Sequence, residues 1–192
     1  MKYIKDEEFI RGESPMTKEE VRILSISKMG VDENSNVLDV GAGTGSISIQ
    51  LSKICNKGEV IAVEKEEKAV KLINGNKEKF SADNLKIIKG EALEVCESIK
   101  SKFDAIFIGG SGGNIEDIIL NYEKKLKNKG RIVLNFITIN NLYKAVETLK
   151  NINYKVEFIE VSISRSFKNT YMLKANNPIF IVWGEKNEKM ER

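Results

Sequence analysis

The segment Asp39-Val40-Gly41-Ala42-Gly43-Thr44-Gly45-Ser46 puts three alternating glycines directly after an acidic residue at the end of an apolar run. Glycine permits the tight bend from a strand into a helix and lets other groups come close to the main chain. The spacing separates two ligand classes. A dinucleotide fingerprint runs GxGxxG or GxGxxA, with a pyrophosphate at the following helix N-terminus. Here the loop is GxGxG, and Ser46 stands at the fingerprint's last position. S-adenosylmethionine has no phosphate; it carries a sulfonium, an ammonium and a carboxylate. Asp39 can serve the ammonium, directly or through water. Gly41, Ala42, Gly43, Thr44 and Gly45 are the accompanying candidate cofactor contacts.

Further candidates close other apolar runs. Glu64 ends the run Glu59 to Glu64, where a carboxylate can accept hydrogen bonds from both ribose hydroxyls. Gly90-Glu91-Ala92 follows Leu85 to Lys89. The amide of Ala92 can donate to an adenine ring nitrogen, and Glu91 can accept from the exocyclic amine. Phe103 to Ile108 runs into Gly109-Gly110-Ser111-Gly112-Gly113, which offers almost only backbone. Consecutive amides before a helix form an anion nest, read here as a seat for a substrate carboxylate.

The chain has no histidine, which excludes Ser-His-Asp and Cys-His catalysis and any histidine-based metal site. No catalytic acid or base stands out and no metal is expected. Chemistry is left to carboxylates, lysine, tyrosine, backbone groups or the ligands themselves. Cys55 and Cys96 form no CxxC pair and read as buried free thiols of a reducing compartment.

The elements that position these groups alternate. Thr17-Lys18-Glu19-Glu20 reads as a capping box, with Thr17 as N-cap of a helix ending near Met29. Strands are predicted at Asn36 to Val40, Glu59 to Glu64, Leu85 to Lys89, Phe103 to Ile108 and Gly130 to Phe136. Helices fall at about Ser46 to Cys55, Glu66 to Phe80, Leu93 to Ile99, Ile115 to Leu126 and Asn141 to Asn151. Val156 to Ile163 and Pro178 to Gly184 are two strands joined by a polar, basic connection, Ser164 to Asn177, with no helical pattern. This predicts an α/β fold: a mostly parallel seven-stranded sheet with a terminal antiparallel pair. Ligands of such sheets bind at the carboxyl ends of the strands, where the strand order reverses.

At 192 residues, 41% hydrophobic, the chain suits one domain with a substantial core, residues 1-192, with 1-30 as a covering extension and helix. No apolar run is long enough to span a membrane, and Met1 to Glu8 does not read as a secretory signal, so a cytoplasmic location is expected. A net charge of +3 is too mild to suggest a nucleic-acid partner.

The glycine loop, Glu64 and the Gly90-Glu91-Ala92 turn resemble class I, Rossmann-like methyltransferases. Glu8-Phe9-Ile10-Arg11, Pro15 to Arg22, Phe107 to Gly113 and Ala175-Asn176-Asn177-Pro178 are more particular. Together, over about residues 6 to 185, they are similar to the cobalt-precorrin carbon-15 methyltransferases (decarboxylating) of anaerobic cobalamin biosynthesis. The resemblance implies methylation of a tetrapyrrole at carbon-15, loss of carbon dioxide from the carbon-12 acetate, and S-adenosylmethionine as cofactor. It carries cofactor contacts onto Thr17, Gly41 through Gly45, Glu64 and Ala92. The family often has Asp where this chain has Glu91. A homotetramer and a companion precorrin methyltransferase are also implied. The substrate's carboxylates make Arg11, Lys18, Arg22, Arg165, Lys168 and Lys174 candidate partners, with the group around Arg165 foremost. Competing readings are a methyltransferase for RNA or another small molecule, and a non-catalytic adenosylmethionine-binding module. An NAD-dependent dehydrogenase is disfavoured by the loop spacing.

Overall fold

Val37-Leu38-Asp39-Val40 and Val60-Ile61-Ala62-Val63-Glu64 are buried at every position, as strands must be when helices cover both faces of a sheet. The computed structural model describes residues 3–110, 113–167 and 170–186. In chain order the elements are α1 (Glu19–Met29), β1 (Val37–Val40), α2 (Ser46–Ile54), β2 (Val60–Glu64), α3 (Glu67–Lys79), β3 (Leu85–Lys89), α4 (Ala92–Cys96) and β4 (Phe103–Ile108). There follow α5 (Ile115–Tyr122), β5 (Leu126–Phe136), α6 (Ile139–Asn151), β6 (Tyr154–Val161), β7 (Ser164–Ser166), β8 (Leu173–Ala175) and β9 (Ile179–Lys186).

Seven strands form one sheet in the order β3-β2-β1-β4-β5-β9-β6. Neighbours from β3 to β5 are parallel, and β9 runs antiparallel between β5 and β6. This is the predicted α/β architecture with its terminal antiparallel pair. The strand order reverses between β1 and β4, so the crevice opens beyond Val40 and Ile108.

Alternation along the strands divides the core. Leu38, Val40, Ile61 and Val63 pack with α5 and α6 residues such as Ile118, Tyr122 and Leu149. Val37, Val60 and Ala62 pack on the other face with Met29, Leu51 and Ile73 of α1, α2 and α3. The same period of two puts Asp39 and Glu64 on the α2 side of adjacent strands. The two candidate carboxylates therefore share a face because β1 and β2 are in register.

Several details depart from the sequence reading: α5 stops at Tyr122, short of Leu126, and β6 spans Tyr154–Val161 rather than Val156 to Ile163. Lys18, not Thr17, caps α1, and no side chain completes the cap; the Thr17 carbonyl instead accepts from Arg22 Nη1 (2.9 Å) and Ser46 Oγ (3.3 Å). β5 starts at Leu126 rather than Gly130, across a register shift and a left-handed Lys129 at φ 63°. α4 stops at Cys96, short of Ile99. The basic connection forms a small antiparallel hairpin, β7–β8, with Arg165 opposite Lys174.

The N-terminal segment lies as a strap over α2 and α3. Gln50 accepts from the Ile4 amide (2.8 Å), and Asn76 brackets Ile10 by accepting from its amide (2.8 Å) and donating to its carbonyl (3.1 Å). Phe9 meets Phe80 at 5.2 Å between ring centroids. Arg22, fully buried, holds the strap through Asp6 Oδ1 (3.1 Å) and the Ile4 carbonyl. No helix among the described residues is long and apolar enough to cross a membrane.

Candidate functional site

A cavity of about 260 Å³ opens at the carboxyl ends of β1, β2 and β4. Asp39, Gly41, Ala42, Gly43, Glu64, Glu91 and Ala92 line it, as do Thr17, Gly109 and Gly110. Thr44 and Gly45, also expected at the cofactor, do not line it. The Thr44 carbonyl accepts from Asn76 Nδ2 (3.1 Å), and a Cβ on Gly45 would meet Ile73 at 3.1 Å.

The glycines serve the protein's own packing. All three have positive φ, which side chains rarely adopt. A Cβ on Gly41 would lie 3.0 Å from the Gly110 backbone, and one on Gly43 would lie 2.9 Å from the Pro15 carbonyl. The loop is thus compressed between the β4 turn and the strap, while its open side faces the cavity.

Asp39 is completely buried. Ser48 of α2 donates its hydroxyl to Oδ2, and Oδ1 has no hydrogen-bond partner among the described residues. Burial pushes the carboxyl up to about 7, against the bond from Ser48, with the nearby Glu64 charge adding to the rise. A cation in the cavity would relieve both the unpaired oxygen and the shift. Glu64 is differently occupied. Its Oε2 accepts from the Gly43 amide (2.7 Å), and Oε1 accepts from the amides of Lys65 (2.8 Å) and Glu66 (2.9 Å). A carboxylate offers about four acceptor positions, so about one remains for a ligand. Glu64 fastens the loop to β2 as well as facing the cavity.

At the adenine end, Ala92 is the first helical residue of α4, so its amide has no intrahelical acceptor. Its carbonyl accepts from the buried Tyr122 hydroxyl (2.6 Å). Glu91 pairs with Lys65 across the rim at 3.2 Å.

The glycine turn after β4 is less open than the sequence reading expects. The Gly109 amide donates to the Val40 carbonyl (2.9 Å) and is committed to the sheet. Gly110 and Gly113 are exposed, with nothing near their Cβ positions. Ser111 and Gly112 lie outside the described residues, as does Lys168. The helix after the turn carries Glu116 and Asp117 in its first turn, which oppose an anion there.

The arginines are largely engaged. Arg165 clamps Glu20 through one guanidinium edge, Nε and Nη2 donating to its two oxygens (2.7 and 2.6 Å), a pair that holds Glu20 below its ordinary value. Arg11 is exposed and donates Nε to the Asp6 carbonyl (3.1 Å). Arg22 is structural. Lys18 and Lys174 are exposed.

Sequence reasoning gave no role to Asn76, which joins strap and glycine loop, or to Pro15, which lines the cavity and faces Gly43. Asn76 had a signal. With Ala69 and Ile73 it occupies the buried stripe of α3, and a polar residue at such a spacing marks a buried hydrogen-bonding post. A second cavity, about 310 Å³, adjoins the first and shares Pro15, Thr17 and Gly109 with it.

Residues 8–185 match a sequence family described as the precorrin methyltransferase domain. A relative from Sulfurisphaera tokodaii, named probable cobalt-precorrin-6B C(15)-methyltransferase (decarboxylating), is 46% identical over 95% of this chain and 97% of its own. One from Salmonella typhimurium, named cobalt-precorrin-6B C(15)-methyltransferase (decarboxylating), is 37% identical over 98% of this chain and 99% of its own. The crystal structure of a precorrin-6y C5,15-methyltransferase from Geobacter metallireducens aligns with a TM-score of 0.91 at 34% identity, covering 96% of each chain.

Proposed function

The chain belongs to the precorrin methyltransferase family, and from that premise we propose that it methylates a cobalt-precorrin at carbon-15 and releases the carbon-12 acetate's carboxyl as carbon dioxide, in cobalamin biosynthesis. The observation that carries this reading beyond family membership is the unpaired, buried Asp39 Oδ1 in a cavity at the sheet's reversal point. A polar atom left without a partner there is built for a ligand donor, and the ammonium of S-adenosylmethionine is such a donor.

S-adenosylmethionine supplies an electrophilic methyl group on a sulfonium. The protein's part is binding and orientation. Asp39 accepts from the ammonium. Glu64 offers its remaining acceptor position to a ribose hydroxyl while its others hold the amides of Gly43 in the loop and of Lys65 and Glu66 beyond β2. The Ala92 amide and Glu91 meet the adenine edge. Thr17 and Pro15 close the cavity from the strap and keep water out. Aligning donor and acceptor accounts for a large share of rate enhancement in such transfers, and it needs no histidine. Gly110, Gly113, Lys18 and Lys174 are available to substrate carboxylates. Arg165 can join them only by leaving Glu20, and Arg11 stands at the strap.

Incubation with cobalt-precorrin-6B and isotopically labelled S-adenosylmethionine tests the reading. The expected product has gained one labelled methyl and lost one carbon dioxide; methyl transfer to RNA instead would sink it.

We further propose one domain over residues 1-192, a cytoplasmic location, and a homotetramer. Tyr171, Met172 and Leu173 on the β7–β8 hairpin are 107%, 66% and 70% exposed, an apolar tip suited to self-association. Light scattering of the intact chain, compared with a Met172→Glu, Leu173→Glu variant, tests the assembly. A companion methyltransferase acting elsewhere on the same macrocycle is compatible with this arrangement.

A further inference from the structure

The second cavity has walls unlike those of the first. Asp39, Glu64 and Glu91 bring carboxylates to the donor cavity. Val21, Phe136, Val161, Ile163 and Ile179 line the second with hydrocarbon, and no acidic side chain lines it among the described residues. Its cation there is Lys18, exposed to solvent. Asn135 exchanges hydrogen bonds with Ser25 (2.9 and 3.0 Å), so its carboxamide is already partnered. The β7–β8 hairpin springs from its wall, with the Asn176 amide donating to the Ile163 carbonyl (2.9 Å). A volume near 310 Å³ equals about ten waters' share of liquid, room for a pyrrole edge with one short arm.

We propose that this cavity takes the edge of the tetrapyrrole that bears the reacting acetate, and that its largely apolar walls, with Lys18 left in solvent to meet another carboxylate of the substrate, promote loss of carbon dioxide. The proposal rests on the methyltransferase reading above. An acetate carboxylate concentrates charge on two oxygens, which water and cations stabilise strongly. In the transition state for decarboxylation that charge spreads into the conjugated macrocycle, where walls of hydrocarbon disfavour it less. Moving the arm out of water therefore raises the ground state more than the transition state. The bond between the carboxyl carbon and its methylene breaks, and the carboxyl carbon leaves as carbon dioxide. The electron pair stays on the methylene and is delocalised into the ring, and a proton from water then makes the new C–H bond. The methylated carbon and this arm lie on one edge of the macrocycle. Two cavities that share Pro15, Thr17 and Gly109 suit that spacing.

The test is to place a second cation in the cavity, beyond the solvent-exposed Lys18. Ile163→Lys does so at a half-buried wall position, and Ile137→Lys does so at a lining residue 71% exposed, where the fold cannot depend on it. An ammonium beside the arm stabilises the carboxylate ground state. With cobalt-precorrin-6B and labelled S-adenosylmethionine, the expected result is a kcat for carbon dioxide release lowered about tenfold or more, with KM unchanged or lower. Cofactor affinity should be retained. Unchanged kcat in both lysine variants, or a raised KM with kcat kept, would overturn the assignment. If the parent protein transfers no methyl group to the precorrin, the underlying function has failed instead; normal methyl transfer with unaffected decarboxylation in the variants defeats this inference alone.

Discussion

The strands β1, β2 and β3 and the strands β5, β9 and β6 meet at one crevice but are built on different principles. In the first group the sheet is parallel, β1 and β2 are buried on both faces, and the polar groups are fixed by main chain: three amides hold Glu64, and Asn76 holds two carbonyls. The second group is antiparallel, and its edge strand β6 is half solvent-exposed. It contributes apolar walls rather than fixed charge and continues into an exposed hairpin. Its hairpin is tied to α1 by Arg165 with Glu20 and comes within 3.9 Å of Asp6, and α1 is tied to the strap by Arg22 with Asp6. One side is a preorganised polar cradle, and the other is a hydrocarbon wall fastened by ions.

The largest expected effect comes from breaking the fastening. Arg22 and Asp6 are both buried, so Arg22→Met leaves a buried carboxylate with only Arg165, at 3.9 Å, nearby. Loss of one partner of a buried pair costs about 3–5 kcal/mol. Urea unfolding should show that loss, and the double variant Arg22→Met, Asp6→Leu should recover most of it. Cofactor affinity should fall in the single variant too, because Pro15 and Thr17 on the loosened strap line both cavities.

Asp39→Asn separates the two sides in the opposite sense. Removing a charge-assisted bond to an ammonium should cost about 1.5–3 kcal/mol of cofactor binding, read by calorimetry. The free protein should become no less stable at pH 8, since the replaced carboxylate is buried with one oxygen unpaired. A residue that destabilises the empty fold is retained for its ligand. A variant that binds cofactor normally would remove Asp39 from the site.

Glu64→Ala should weaken cofactor binding by about 1.5 kcal/mol, the worth of one charge-assisted bond. The structure adds a loss of thermal stability, because the amides of Gly43, Lys65 and Glu66 lose their shared acceptor. A drop in affinity with an unchanged melting temperature would mean that the loop holds itself.

These outcomes follow how far the sequence could be read. Strand periodicity and the spacing of Asp39 from Glu64 are local, and both survive folding as adjacent strands in register. Partners brought from far along the chain are not local. Arg165 reads as a free cation until Glu20, 145 residues away, is seen to clamp it. The glycine run after β4 reads as a row of free amides until Val40 is seen to claim the first. The apolar second cavity draws on the strap, β5, β6 and β9 at once, so no single window of sequence could reveal it.

The smallest predicted effect on cofactor binding turns on the sign of one titration. The Asp39 carboxyl lies near 7 in the folded chain, against 3.8 for an unperturbed aspartate, with burial the main cause. An acid raised on folding favours the folded state fully below its unfolded value. That contribution is lost as pH climbs from 3.8 towards 7, by up to about 1.4 kcal/mol per pH unit. Other carboxylates titrate in the same range, so the difference between the parent and Asp39→Asn isolates it: the parent should lose ground across that window and run parallel above it. Cofactor binding should respond in the opposite direction. The ionised carboxylate is the form that holds an ammonium, so affinity should be level above pH 7 and fall about tenfold at pH 6, where binding must first expel a proton. Calorimetry of S-adenosylhomocysteine in two buffers of different ionisation heat should detect that released proton at pH 6 and none at pH 8.5. Asp39→Asn should release none at either pH. A parent affinity that stays flat between pH 6 and 8.5, with no proton released, would place the ammonium on another partner and leave the buried oxygen of Asp39 without its proposed ligand.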